Sequence, residues 1–209
     1  MTARGDSKTF SANEASCITD VPLKEVHRII DAELLGATAQ GGGRARTVHE
    51  HGLLGLRFAY ETKGDLTPGL RRRLLQVLLD RPDENPIRER CISVDIDAMD
   101  EKVREGRRRL AIACKMVSCD DAVLSGTPCI AGTRIPAHDI ADMRANGDSV
   151  QAIVEAYPQL TVDRVELAAL YARAYPRRGR PRRKPFWRDR KPEATVVVET
   201  ALADPAHVR

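Results

Sequence analysis

Long apolar runs are missing from this chain. No stretch approaches the ~20 consecutive apolar residues that a bilayer-spanning helix requires, and Met1 to Phe10 lack the apolar segment of a secretory leader. The expectation is a cytoplasmic protein with no membrane segment. Cysteine is sparse and scattered: Cys17, Cys91, Cys114, Cys119 and Cys129 are odd in number and form no Cys-x-x-Cys, and no His-x-x-x-His accompanies them. A disulfide framework and a zinc site are therefore unsupported. Aromatic residues make up only 4% of the chain against 31% charged, which argues against a sandwich or barrel. The pattern predicts a mainly α chain with short β elements.

Arrangements of catalytic residues are also absent. His27, His49, His51, His138 and His207 are scattered without ligand spacing, and no Ser/His/Asp or Cys/His set can be assembled. Gly41-Gly42-Gly43 is not followed by Gly-Lys-Ser/Thr, so no phosphate-cradling loop is present. Asp95, Asp97, Asp100 and Glu101 are spaced closely enough to test as a divalent-cation site. Asp97 has a helix-capping role, the others favour a positive helix N-terminus, and no further ligand cluster completes the set. The chain is read as a non-enzyme with no cofactor and no metal.

What is present is 209 residues with 42% hydrophobic content, enough for one medium or two small domains. The net charge of +4 conceals a segregation. Arg177 to Pro192 holds nine basic residues against Asp189 alone, while the preceding residues are close to neutral. Three prolines and like-charge repulsion keep that stretch out of regular structure by itself. It reads as an extended arm for an anionic partner, with Phe186 and Trp187 as an apolar anchor that needs a surface to cover it.

Turn signals divide the remainder. In residues 1–80, Ser11 with Glu14 three positions on forms a capping box that starts a short helix. Thr19-Asp20 and Val21-Pro22 supply a turn and a helix-opening proline, after which Leu23, Val26, Ile30 and Leu34 recur at helical spacing. Two short helices joined by a tight turn make a helix-turn-helix. The outer face of the second carries Lys24, His27, Arg28 and Asp31, groups that reach phosphates and base edges in a major groove. From Ala37 to Val48, a glycine-rich turn between two strand-like segments reads as a wing with Arg44 and Arg46 at its tip. His49 to Tyr60 and Thr67 to Asp80 are predicted as helices. This order of elements resembles the MerR-type winged DNA-binding domain.

Residues 81–116 begin as a turn-rich linker. Cys91 to Ile96 alternates like a strand, and a helix follows from Ala98 to about Lys115 with Asp97 as its cap. That strand must pair with another strand of the chain or with a second copy.

Residues 117–176 carry the most distinctive run: Ser125-Gly126-Thr127-Pro128-Cys129-Ile130-Ala131-Gly132-Thr133-Arg134-Ile135-Pro136, followed by Gly147 to Ser149 and by Tyr157-Pro158-Gln159-Leu160-Thr161. The physical reading is a turn, a short strand, a second glycine turn and three short helices: Ala137 to Asn146, one opened by Asp148 or Ser149, and Val162 to Tyr175. Gly126 and Gly132 are backbone necessities, and Arg134 is expected to brace backbone carbonyls. The motif resembles a family of small bacterial antitoxins, with Cys129 standing where an aliphatic residue is expected. The resemblance implies a VapB-like antitoxin of a type II toxin-antitoxin module. Such a protein neutralises a ribonuclease toxin of PIN-like fold and represses its own operon.

On this reading the partners are the cognate toxin and operator DNA, and a homodimer and a toxin-antitoxin hetero-oligomer are expected. Lys24, His27, Arg28, Arg44 and Arg46 would contact DNA. Arg182, Arg183, Phe186, Trp187, Arg188 and Arg190, in the tail spanning residues 177–209, would contact the toxin, an arginine entering its carboxylate cluster. The alternative is a winged-helix transcription regulator with no toxin, whose tail adds nonspecific DNA affinity.

Overall fold

The computed structural model describes residues 8–41 and 46–177, which fall within one compact unit. Strand β1 (Thr9–Ser11) leads directly into helix α1 (Ala12–Thr19). The expected capping box is formed: Ser11 Oγ accepts from the Glu14 amide at 3.3 Å, and Glu14 Oε2 accepts from the Ser11 amide at 2.8 Å. Two of the N–H groups that a helix start leaves unpaired are thereby satisfied. After a turn at Asp20, α2 (Leu23–Asp31) buries Val26, Ile29 and Ile30. Strands β2 (Ala39–Gln40) and β3 (Thr47–His49) pair antiparallel, and β1 adds to the other side of β3 in the order β1-β3-β2. Fully buried Val48 stands opposite both Phe10 and Ala39, so the pleat directs the hairpin's apolar side onto the helices.

Helices α3 (Gly52–Glu61) and α4 (Pro68–Asp80) follow. The first begins later than the periodicity suggested, because His49 belongs to β3, opposite Thr9. The alternating segment near Cys91 forms β5 (Ile92–Val94), and its partner is β4 (Ile87–Glu89) of the same chain. Helix α5 runs from Asp97 to Met116. Its start is not capped by the Asp97 side chain. Instead Asp95 Oδ1 accepts from the Asp97 amide at 2.9 Å, and Asn85 Oδ1 accepts from the Ile96 amide at 3.0 Å. The acceptor has to precede the first turn to meet its outward N–H groups, and Asp97 already lies inside that turn.

The chain then forms a two-stranded pair, β6 (Val117–Ser118) with β7 (Cys129–Ile130), and helices α6 (Ala137–Ala145), α7 (Val150–Ala156) and α8 (Val162–Ala174). Ser149 Oγ and Thr161 Oγ1 cap the last two, accepting from the Ala152 and Arg164 amides. Gly147, at φ +96°, closes α6 while the Asp148 amide reaches back to the Met143 carbonyl, a reversal that a side chain at this position would strain.

Two apolar clusters hold these elements. The larger joins α1 to α5 and takes Leu170 and Ala174 from α8; the smaller gathers Ile130, Ile135, Ile140, Ile153, Leu160, Val165 and Ala168. The segment 81–116 thus contributes Val103, Leu110 and Ala113 to the main core, and α5 packs on α1, α3 and α8. Its approach to α1 is set by Gly106, where a Cβ would lie 1.9 Å from the Ile18 carbonyl oxygen. Among the described residues no helix is long and apolar enough to cross a membrane.

Candidate nucleic-acid interface

With Val26, Ile29 and Ile30 inward, helical geometry turns Lys24, His27, Arg28 and Asp31 to the opposite side of α2. Lys24 and Arg28 are exposed and His27 is half-buried. The turn before α2 is held from a distance. Arg57 on α3 is 9% exposed, donates from Nη1 to the Thr19 carbonyl at 2.8 Å, and pairs through Nε with Glu61 at 2.7 Å. An otherwise unpaired carbonyl at the end of α1 is satisfied in this way. Nothing local in the sequence pointed to Arg57, since its partner lies 38 residues away.

Two acids on α2 organise the basic groups around it. Glu25 receives Arg28 Nη1 and, from the end of α3, Lys63 Nζ, both at 3.0 Å. The Lys63 hydrogen bond holds the Glu25 carboxyl below its ordinary range. Asp31 receives Arg46 in a two-pronged pair, Nε to Oδ1 at 2.8 Å and Nη2 to Oδ2 at 3.0 Å, which likewise lowers its carboxyl. Lys63 joins the basic surface although sequence reading did not include it. Arg46, expected at a wing tip, stands where the connecting loop enters β3, with its guanidinium paired to Asp31. Arg44 lies outside the described residues, as do Arg182, Arg183, Phe186, Trp187, Arg188 and Arg190.

The carboxylates weighed as a cation site have other partners. Asp95 caps α5, Asp100 pairs with Arg104, and Glu101 pairs with Arg108. No group of three or more His, Cys, Asp or Glu residues suited to a metal ion occurs among the described residues.

In the third block, Gly126 and Gly132 take φ +74° and +77°. The bracing expected of Arg134 is done by Thr133. Its Oγ1 donates to the Ile130 carbonyl at 2.8 Å and accepts from the Ile135 amide at 3.1 Å. Arg134 is exposed and makes no hydrogen bond or ion pair among the described residues. The short hydroxyl sits within the turn's own radius, whereas the long guanidinium gains more from water. Cys129 is 2% exposed, and burial pushes its thiol up.

The end of α8 is tied down at several points. The Tyr175 hydroxyl donates to Glu14 Oε1 at 2.7 Å, the carboxylate whose other oxygen completes the α1 capping box, and Cys114 Sγ reaches the same hydroxyl at 3.4 Å. Burial, with these hydrogen bonds, pushes the Tyr175 phenol above its ordinary range. The Tyr175 carbonyl meets His138 Nε2 at 2.8 Å, and Arg177 pairs with Asp139 and Asp142 of α6.

The described residues are thus mainly helical with short strands, and the antiparallel strands β1 and β3 lie against α1. Residues 117–172 match the family described as "Protein of unknown function (DUF433)". The chain is 29% identical over 205 residues to "Uncharacterized protein y4eO" of Sinorhizobium fredii, across 92% of this chain and 91% of that protein. The likeness therefore extends well beyond the family segment. No solved structure matches significantly.

Proposed function

We propose that this protein is the DNA-binding antitoxin of a type II toxin-antitoxin module. It represses its own operon through α2 and neutralises a PIN-like ribonuclease through the basic tail. The observation that carries the DNA-binding part is the outer face of α2, where Lys24, His27 and Arg28 stand clear of the core beside a hairpin rooted on the same helix. Cations there meet phosphates, and His27 lies where a base edge would fall. The antitoxin part draws on the match at residues 117–172 together with the arm that follows it. Arginines entering the toxin's carboxylate cluster would displace its metal or the RNA phosphate.

Two measurements test this. For DNA, a duplex from the region upstream of the reading frame is titrated by fluorescence anisotropy across a salt series. The Lys24→Ala/Arg28→Ala variant is expected to bind more weakly, with its salt slope reduced by about 1.8, the value for two lost phosphate contacts. An unchanged slope removes α2 from the interface. For the toxin, the adjacent reading frame is co-expressed with the full chain or with a chain ending at Arg177. Growth rescue and co-purification by the full chain alone support the antitoxin role. A harmless neighbour that does not co-purify leaves a winged-helix regulator as the remaining reading.

A further inference from the structure

Among the described residues, the hairpin meets the recognition helix at both ends of its connecting loop. At one end lies Gly41, where a Cβ would come within 3.0 Å of Ile30 Cγ2 and 3.8 Å of Asp31 Oδ1. At the other lies Arg46, which grips Asp31 with two nitrogens at 2.8 and 3.0 Å. The main chain of Arg46 is tied as well, since its carbonyl accepts from the Ala12 amide at 3.1 Å. Both feet of the loop therefore rest on the last turn of α2, and β3 continues from Arg46 into the buried Val48.

We infer that Arg46 and Asp31 form a clamp that sets the position of the hairpin on the recognition helix, making Asp31 a positioning residue for DNA recognition and Arg46 its partner, not a phosphate contact. The inference rests on the DNA-binding reading and refines it. Asp31 is the one acid among the four outward positions 24, 27, 28 and 31 of α2. Left alone there, it would repel the DNA backbone. Paired with Arg46, it presents a neutral unit whose planar fork matches the carboxylate edge. For Arg46 to reach a phosphate it would have to abandon Asp31 and expose an anion to an anionic surface. That exchange recovers little, because one Arg-anion pair replaces another while a repulsion is added.

The sign of one substitution separates the two roles. Asp31→Asn removes a negative charge from a DNA-facing surface, so a free Arg46 predicts tighter binding and a clamp predicts weaker specific binding. The full-length chain, Asp31→Asn, Arg46→Gln and the charge-conserving Asp31→Arg/Arg46→Asp swap are titrated against the upstream duplex and a scrambled duplex of equal length over a salt series. The expected result is a loss of about two- to fivefold on the upstream duplex for both single variants. The scrambled duplex should be bound by Asp31→Asn no more weakly than by wild type. Arg46→Gln should keep the wild-type salt slope, and the swap should recover most of the lost discrimination. Tighter binding of both duplexes by Asp31→Asn, or a slope lowered by about 0.9 in Arg46→Gln, overturns the clamp in favour of direct phosphate contact. Amide exchange provides a reading that needs no DNA. Protection at Ala39–Gln40 and Thr47–His49 should fall in both single variants and return in the swap, and unchanged protection overturns the clamp. If exchange shows the clamp while the wild-type chain binds neither duplex, the DNA-binding reading fails and the positioning role falls with it.

Discussion

Helices α2 and α8 each close a helix-turn-helix segment, yet they differ in what surrounds them. Helix α2 buries one stripe and leaves the opposite side open, with Lys24 and Arg28 exposed and His27 half-buried. Helix α8 is packed on two sides. Val165 and Ala168 enter the smaller core while Leu170 and Ala174 enter the larger. Its remaining surface mixes Asp163, Arg164, Glu166 and Arg173, and Glu166 is already paired with Arg109 of α5 at 3.4 Å. A surface of mixed sign offers phosphate less attraction than the basic side of α2. The same supersecondary pattern thus leaves one helix with an open basic face and holds the other as a strut between two apolar clusters. Neighbouring packing decides which, not the pattern.

The largest expected effect comes from breaking the seam that both helices depend on. Gly106→Ala would place a methyl group 1.9 Å from the Ile18 carbonyl oxygen, so α5 must move off α1 and disturb the core that α8 also enters. Overpacking of this kind costs about 3 kcal/mol, which corresponds to a fall in melting temperature of roughly 6–12 °C for a chain of this size. A melt within about 1 °C of wild type would mean that α1 and α5 are not in such close contact. A smaller effect follows from Tyr175→Phe, which removes the α8-to-α1 hydrogen bond and leaves Glu14 Oε1 without its donor. The cost is about 1 kcal/mol, read as a drop of roughly 2–4 °C. The smallest effect sharpens the comparison directly. Arg164→Ala/Arg173→Ala is expected to leave both the affinity for the upstream duplex and its salt slope unchanged, in contrast to Lys24→Ala/Arg28→Ala. A slope reduced by about 1.8 in the α8 variant would make α8 a second reading head.

Much of the local architecture was legible. The Ser11-Glu14 box, the caps at Ser149 and Thr161, and the glycine reversals at Gly126, Gly132 and Gly147 all act within a few residues of themselves, so their spacing is a direct record of the geometry. Contacts between remote residues were missed. The pairing of Arg46 was not foreseen because Asp31 lies 15 residues before it. Glu14 looked like a capping residue only, because Tyr175 lies 161 residues beyond it. Lys63 carried no local signal, and the i,i+4 pair of Arg57 with Glu61 gave no sign of its reach to the Thr19 carbonyl. Within the 133–134 turn the reading went to the larger charge, although the small hydroxyl of Thr133 is the group with the reach to brace it.

By itself the sequence determined where α1, α7 and α8 begin, which stripe of α2 is apolar, and that the basic charge gathers after residue 176, since caps, periodicity and composition are properties of neighbouring residues. Tertiary structure decided which cations remain available, which glycine permits two helices to touch, and which of two similar helices keeps an open face. Each of these depends on what a residue meets across the fold, and burial and charge pairing act through space between residues that the chain order holds far apart.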